Sequence, residues 1–256
     1  MPSEVRHRVD SGLTYPVVRL TGVLDADSAP AVRSALLDVL AGQPEALVVD
    51  VRELTVERPE AVSVLGDVAS ACAEWPAAPL AVCAGDARSW RGVGLPVWPS
   101  PEEAFAALGP PAPDHFLSAE LEPALGAARR SRELVTEACA RWELRDLAGP
   151  ACIVVTEMVN NVVAHARTGM VVLLALQGGS MTVAVRDSSP SVPRFSGEPV
   201  PVTSYGGRGL LLIDSVASRW GCLPLPGGKV VWAALAGDEN PAGDLRETGM
   251  ATRSRG

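Results

Sequence analysis

Apolar residues recur along this chain with two periods, and a change of period marks a change of element. In Ile153-Val154-Val155-Thr156-Glu157-Met158-Val159-Asn160-Asn161-Val162-Val163-Ala164-His165-Ala166, positions 155, 159, 162, 163 and 166 follow helical spacing and predict one buried face. Glu157, Asn161 and His165 lie at i, i+4 and i+8, which stacks them on a second face with Asn160 beside them. Two adjacent asparagines inside a helix cost roughly 0.5–0.7 kcal/mol each relative to alanine. A local rule broken away from any cap points to a functional site, with a plain solvent-facing polar stripe as the alternative.

The first 108 residues alternate strands and helices. Residues 5–9 and 15–22 read as a hairpin turning at Ser11-Gly12. Asp25 or Asp27 is expected to cap a helix through Leu40 that buries Val32, Leu36, Leu37 and Leu40. Residues 46–51 form a central strand, and Pro59 opens a helix through Leu65 to about Glu74. Residues 80–84 add a core strand and 102–108 a short helix, together implying a small α/β layer. Pro110, Pro111 and Pro113 mark 109–114 as an extended, semi-rigid linker.

Beyond it, 115–121 reads as an edge strand. Pro123 starts a helix to about Trp142, with Leu125, Ala128, Leu134, Val135 and Ala138 inward and Arg129, Arg130 and Arg132 on a solvated face. Strands follow at 170–176, 181–187, 222–225 and 229–235. A Pro- and Ser-rich loop of about 18 residues after Asp187 is read as a nucleotide lid. The tail from Gly237 is polar and expected to lack fixed structure. The expected division is 1–108, a linker at 109–114, 115–237, and a tail at 238–256.

At 256 residues, 47% hydrophobic and 20% charged, the chain has the composition of two ordinary globular domains. No run is read as the ~20 apolar residues that span a bilayer, and the charged opening 1–10 gives no secretion signal, so a cytoplasmic protein with no membrane partner is expected. Five widely spaced cysteines without a CxxC pair read as reduced thiols. A net charge of −8 argues against direct nucleic-acid binding. Lys229, the only lysine among 22 basic residues, reads as the codon usage of a GC-rich bacterium. Gly227-Gly228-Lys229 is no Walker A loop, and Gly207-Arg208-Gly209 no dinucleotide fingerprint.

Two further stretches complete the constellation. Met181-Thr182-Val183-Ala184-Val185-Arg186-Asp187 ends a strand on a carboxylate, and Ser204-Tyr205-Gly206-Gly207-Arg208-Gly209-Leu210-Leu211-Leu212-Ile213-Asp214 is a glycine loop running into a helix. With the asparagine helix, in this order, they resemble the N, G1 and G2 boxes of the GHKL ATP-binding superfamily, closest to its anti-sigma-factor serine kinases. The resemblance covers residues 114–237. One departure is Asp187-Ser188-Ser189-Pro190-Ser191, where the family usually has Asp-x-Gly-x-Gly.

The resemblance implies an α/β sandwich whose mixed, largely antiparallel sheet is covered by helices, binding ATP and Mg2+. Asn161 matches the magnesium ligand, and a metal that keeps waters and phosphates needs little more from protein. Glu157, one turn earlier, is the candidate catalytic carboxylate, orienting a water or taking a hydroxyl proton. Asp187 would accept from the adenine amino group, where guanine presents a carbonyl. Gly206, Gly207, Arg208, Gly209 and Leu210 form an anion site at a helix N-terminus. Asn160 and His165 are candidates for phosphate contacts, with closure of the helix end the favoured role for His165.

In the first half, Gly22-Val23-Leu24-Asp25 and Leu47-Val48-Val49-Asp50-Val51 resemble the STAS domain of anti-sigma-factor antagonists over residues 5–108. Where that family carries Asp-Ser-Ser-Gly with a phosphoacceptor serine, this chain has Arg58-Pro59-Glu60-Ala61. Glu60 is favoured by the helix dipole; imitation of phosphoserine is the sharper alternative.

Two functions stand: an ATP-dependent serine/threonine kinase that controls a bacterial sigma factor or its antagonist, and a nucleotide-gated interaction module without phosphoryl transfer. Its own N-terminal half and a second copy of the chain are the further expected partners. A sensor histidine kinase is disfavoured because neither His7 nor His115 sits in a two-helix phosphoacceptor pattern. Topology and mismatch-repair ATPases are disfavoured because no transducer pattern follows.

Overall fold

The computed structural model describes residues 5–191 and 208–236. They build two five-stranded sheets, one wholly from residues 6–98 and the other wholly from 116–236.

The first sheet runs in chain order: β1 (Arg6–Asp10), β2 (Val17–Leu24), β3 (Leu47–Val56), β4 (Leu80–Cys83) and β5 (Val97–Trp98). β1 is antiparallel to β2, and the other pairings are parallel. Helices α1 (Ala29–Leu40) and α2 (Ser63–Ala71) cover one face with Leu36, Leu37, Leu65 and Val68, against Leu20, Leu47 and Val49. The alternate residues Val17, Val48, Ala81 and Cys83 point the other way and meet α3 (Pro101–Leu108) at Ala104.

β3 outruns its expected end by five residues, because parallel pairing with β2 continues from Glu53 to Val56 although those side chains are not fully buried. Backbone ladders do not require apolar side chains, so hydropathy stops short of them. Neither Asp25 nor Asp27 caps the helix directly: Asp25 Oδ1 accepts from the N–H groups of Asp27 and Ser28, and α1 begins after that turn. The second helix opens as a 3-10 turn, Pro59–Val62, with Glu60 exposed in it.

The second sheet has the order β6 (Phe116–Leu121), β7 (Met170–Gln177), β8 (Ser180–Asp187), β10 (Gly228–Ala236), β9 (Arg219–Leu225). All four pairings are antiparallel rather than mixed, with β6 at the edge. One face carries α4 (Ala127–Arg141), α5 (Ala148–Asn161) and α6 (Arg208–Val216), joined by Val135, Ala138, Val154, Met158, Val172, Val183 and Val231. Leu125 is fully exposed, contrary to its expected inward role, since α4 starts two residues after it. The stretch Arg145–Ala166 is long and apolar enough to cross a membrane by length and composition, which corrects the sequence reading. Here its apolar positions Val154, Val155, Met158 and Val159 are spent on the core.

The opposite face of this sheet is covered by the N-terminal half. Leu173, Ala184, Leu223, Val230 and Trp232 join one apolar cluster with Leu36, Leu40 and Trp75. Gln43 Nε2 donates to Thr182 Oγ1 at 2.6 Å, Gln177 Nε2 to the Pro76 carbonyl at 3.0 Å, and Arg186 pairs with Asp38 at 3.2 Å. Segment 109–114 is also pinned: Tyr15 Oη donates to the Gly109 carbonyl, the Ala112 N–H to Glu45, and Trp142 Nε1 to the Asp114 carbonyl. It joins two docked bodies instead of spacing them apart.

All five thiols are free. Burial pushes those of Cys72 and Cys222 up to about 11 and that of Cys83 to about 12, so they stay protonated and unreactive at neutral pH.

Gly221 lies opposite Trp232, and a Cβ there would sit 2.8 Å from the indole Cζ2. Gly221→Ala is expected to lose about 1–3 kcal/mol by displacing the ring from the contact between the two halves, measured by urea denaturation of the full chain.

Candidate functional site

Strand periodicity delivers the site's first wall. Val185 and Asp187 share one face of β8, Val231 and Lys229 share the same face of β10, and the register pairs Val185 with Val231 and Asp187 with Lys229. The second wall is the end of α5, where Met158, Asn161 and Val162 follow helical spacing, and α6 closes the third side with Gly209 and Leu210. The cavity between them has a volume of about 320 Å3, apolar at Met158, Val162, Val185, Leu210 and Val231 and polar at Asn161, His165, Asp187, Ser189 and Lys229.

Asp187 is 4% exposed. Its Oδ1 accepts from Lys229 Nζ at 2.9 Å and from the Ser189 N–H at 2.7 Å, while its Oδ2 is buried without a partner among the described residues. Lys229, 7% exposed, also donates to the Ser189 carbonyl at 3.1 Å. The bond from Ser189 N–H to the Asp187 carboxylate makes an Asx-type turn, so the strand end closes without the glycines of the usual motif.

A Cβ at Gly209 would stand 2.7 Å from Glu157 Oε2 and 3.6 Å from Asn161 Nδ2. Glycine therefore lets the first turn of α6 close onto both side chains, and the Glu157 carboxylate lies at the positive end of that helix. Among the described residues no three His, Cys, Asp or Glu side chains converge on a point. A cation here would take its charge neutralisation from a ligand, with the Asn161 amide as a protein contact.

Of the residues expected from sequence, Asn161, His165, Asp187, Gly209 and Leu210 line one cavity, and Glu157 abuts it through Gly209. Asn160 is not brought in: it is exposed, because one step along the helix turns it about 100° from Asn161. His165 does not close the helix. After Asn161 the helix widens into a π turn, Val162–Ala166, and Arg167 ends it at φ +57° with its N–H donating to the Val162 carbonyl. The His165 side chain borders the cavity instead. Gly206, Gly207 and the expected lid lie outside the described residues, as does the side chain of Arg208.

Sequence reasoning missed Lys229. The available signal was a charge inside the otherwise apolar strand Lys229-Val230-Val231-Trp232-Ala233-Ala234-Leu235, which demands a buried counter-ion.

Residues 118–234 match the family described as the histidine kinase-like ATPase domain. They belong to it. The ATPase-like domain thus contains every side chain of the cavity just described. The uncharacterized protein SCO4941 of Streptomyces coelicolor is 37% identical over 94 residues, 36% of this chain and 89% of that protein, and the two are members of one family. A crystal structure of an anti-sigma factor antagonist from Mycobacterium paratuberculosis aligns with 42% of this chain and 97% of its own length, at 22% identity and a TM-score of 0.36.

Removing Asp187 from the ATPase-like domain would leave the Lys229 ammonium buried without a counter-charge. Asp187→Ala is expected to lose about 3–5 kcal/mol of stability, and Asp187→Ala with Lys229→Met to recover most of it. Thermal unfolding of the two single variants and the double variant measures the coupling.

Proposed function

We propose that this chain is an ATP-binding regulatory protein of the anti-sigma-factor kinase type, acting in a bacterial cytoplasm on a sigma factor or its antagonist. The observation that carries the reading is Asp187 Oδ2, a buried acceptor without a partner among the described residues, on a side chain lining a mostly apolar cavity. An exocyclic amino group on a flat heterocycle answers that vacancy, and adenine has one. The apolar residues Val162, Val185 and Leu210 suit the faces of such a ring.

Asn161 and the first turn of α6 are the groups that would hold the magnesium and the phosphates. When bound, Mg-ATP supplies the phosphoryl group for transfer to a serine or threonine hydroxyl. Glu157, whose carboxylate lies against Gly209 in the first turn of α6, would take the hydroxyl proton.

In this proposal residues 1–108 form a STAS-like regulator, joined through 109–114 to the nucleotide domain at 115–237. Its contact with the back face of the ATPase sheet supports a role as a bound regulator rather than a passing substrate. Glu60 occupies the position of the phosphoacceptor serine in the resemblance, so the half has no switch there.

Titration calorimetry is expected to show Mg-ATP bound in preference to Mg-GTP; equal affinity would overturn the base assignment. Glu157→Gln should keep ATP affinity within a few-fold and abolish phosphoryl transfer, since an amide cannot accept the proton. A wild type that binds ATP but labels no co-purified protein would favour the interaction-module reading. Within the full chain, phosphopeptide mapping is expected to find no label on Thr55 or Ser63, the hydroxyl residues between Arg52 and Gly66.

A further inference from the structure

The Lys229 ammonium carries three N–H donors. Two are accounted for, by Asp187 Oδ1 at 2.9 Å and by the Ser189 carbonyl at 3.1 Å. Among the described residues no acceptor is found for the third, and Lys229 lines the cavity. Beside it, on the same carboxylate that Lys229 holds, Oδ2 is an acceptor without a donor among the described residues. One wall of the cavity therefore presents a donor next to an acceptor, both on side chains more than nine-tenths buried.

We propose that Lys229 is a base-reading residue: it donates to ring nitrogen N1 of adenine while Asp187 Oδ2 accepts from the adjacent amino group. This rests on the adenine reading above and adds a second contact to it. Adenine presents an amino donor beside a ring-nitrogen acceptor, the complement of this wall. Guanine presents a carbonyl acceptor beside an N–H donor, so it meets the pair only when turned over, with its ribose on the other side. Lys229 has a second effect. It balances the charge of a buried carboxylate and, by binding Oδ1, leaves Oδ2 as the oxygen open to a ligand donor.

The two effects are separable. Neutralising Asp187 is a structural role and would change the affinity of every adenine nucleotide alike. A contact to N1 would be felt only by ligands that have N1. The experiment compares ATP with 1-deaza-ATP, in which a C–H replaces N1, on the full-length wild type and on Lys229→Met, with 7-deaza-ATP as the control for ring modification. The wild type is expected to bind ATP and 7-deaza-ATP alike and 1-deaza-ATP roughly 10-fold or more weakly, the range for a charge-assisted hydrogen bond. In Lys229→Met all three should bind more weakly and with nearly equal affinity.

Equal binding of ATP and 1-deaza-ATP by the wild type would overturn the proposal, and that arm stands even if Lys229→Met fails to fold. Persistence of the full ratio in Lys229→Met would overturn it as well. GTP binding as tight as ATP in the wild type and lost in Lys229→Met would assign the pair to a guanine edge instead. Failure of every adenine nucleotide to bind would remove the adenine reading itself.

Discussion

Asp187 and Lys229 face each other across two antiparallel strands, nearly sealed from water, and the cavity takes its shape from that pair. A lone buried charge at either position would cost several kcal/mol, so each residue makes the other tolerable. The pairing depends on the β8–β10 register and on Gly228, where a Cβ would collide with the carbonyl of Asp187. The ion pair uses one carboxylate oxygen and, among the described residues, leaves the other without a partner.

The pleat of β8 ties this site to the rest of the molecule. Odd-numbered Met181, Val183, Val185 and Asp187 face the helices and the cavity, whereas even-numbered Thr182, Ala184 and Arg186 face the N-terminal half. A register slip of one residue would send Asp187 into the interface and Arg186 into the cavity. The contacts of Gln43 with Thr182 and Asp38 with Arg186 therefore sit on the strand that aims Asp187. The Arg186–Asp38 pair is largely solvent-exposed and contributes little by itself. The apolar contact around Trp75 and Trp232 carries the association, since buried area outweighs exposed charge.

Most of the second half was legible because its signals are periodic. The asparagine helix, the strand ending on Asp187 and the edge strand β6 all follow from spacing, and five of the expected site residues meet in one cavity. What escaped the sequence was whatever depends on distant partners. Lys229 looked like a compositional accident because its counter-ion lies 42 residues away. The π turn after Asn161 inserts backbone that a fixed 3.6-residue period does not anticipate, and it changes the role of His165. The linker's prolines were read as a spacer, but the N-terminal half has its own reasons to dock: the sheet face with Leu173, Val230 and Trp232 is apolar and needs cover.

The cavity divides its work by dielectric. Its strand end is dry, with Asp187 and Lys229 almost inaccessible, while Asn161 and Glu157 at the helix end are half-buried and His165 is exposed. Electrostatic discrimination grows as the local dielectric falls, so a wrong hydrogen-bond pattern is punished most at the strand end. Charge that must exchange ligands, waters and protons is better placed where solvent reaches it. The loss of the glycines after Asp187 fits this division. The Asx turn at Ser189 keeps the dry end rigid without them, and Gly209, the described glycine on the cavity wall, is retained where the helix must approach Glu157 and Asn161 closely. A side chain thus supplies the turn at the strand end, whereas at Gly209 only the absence of a Cβ permits the contact.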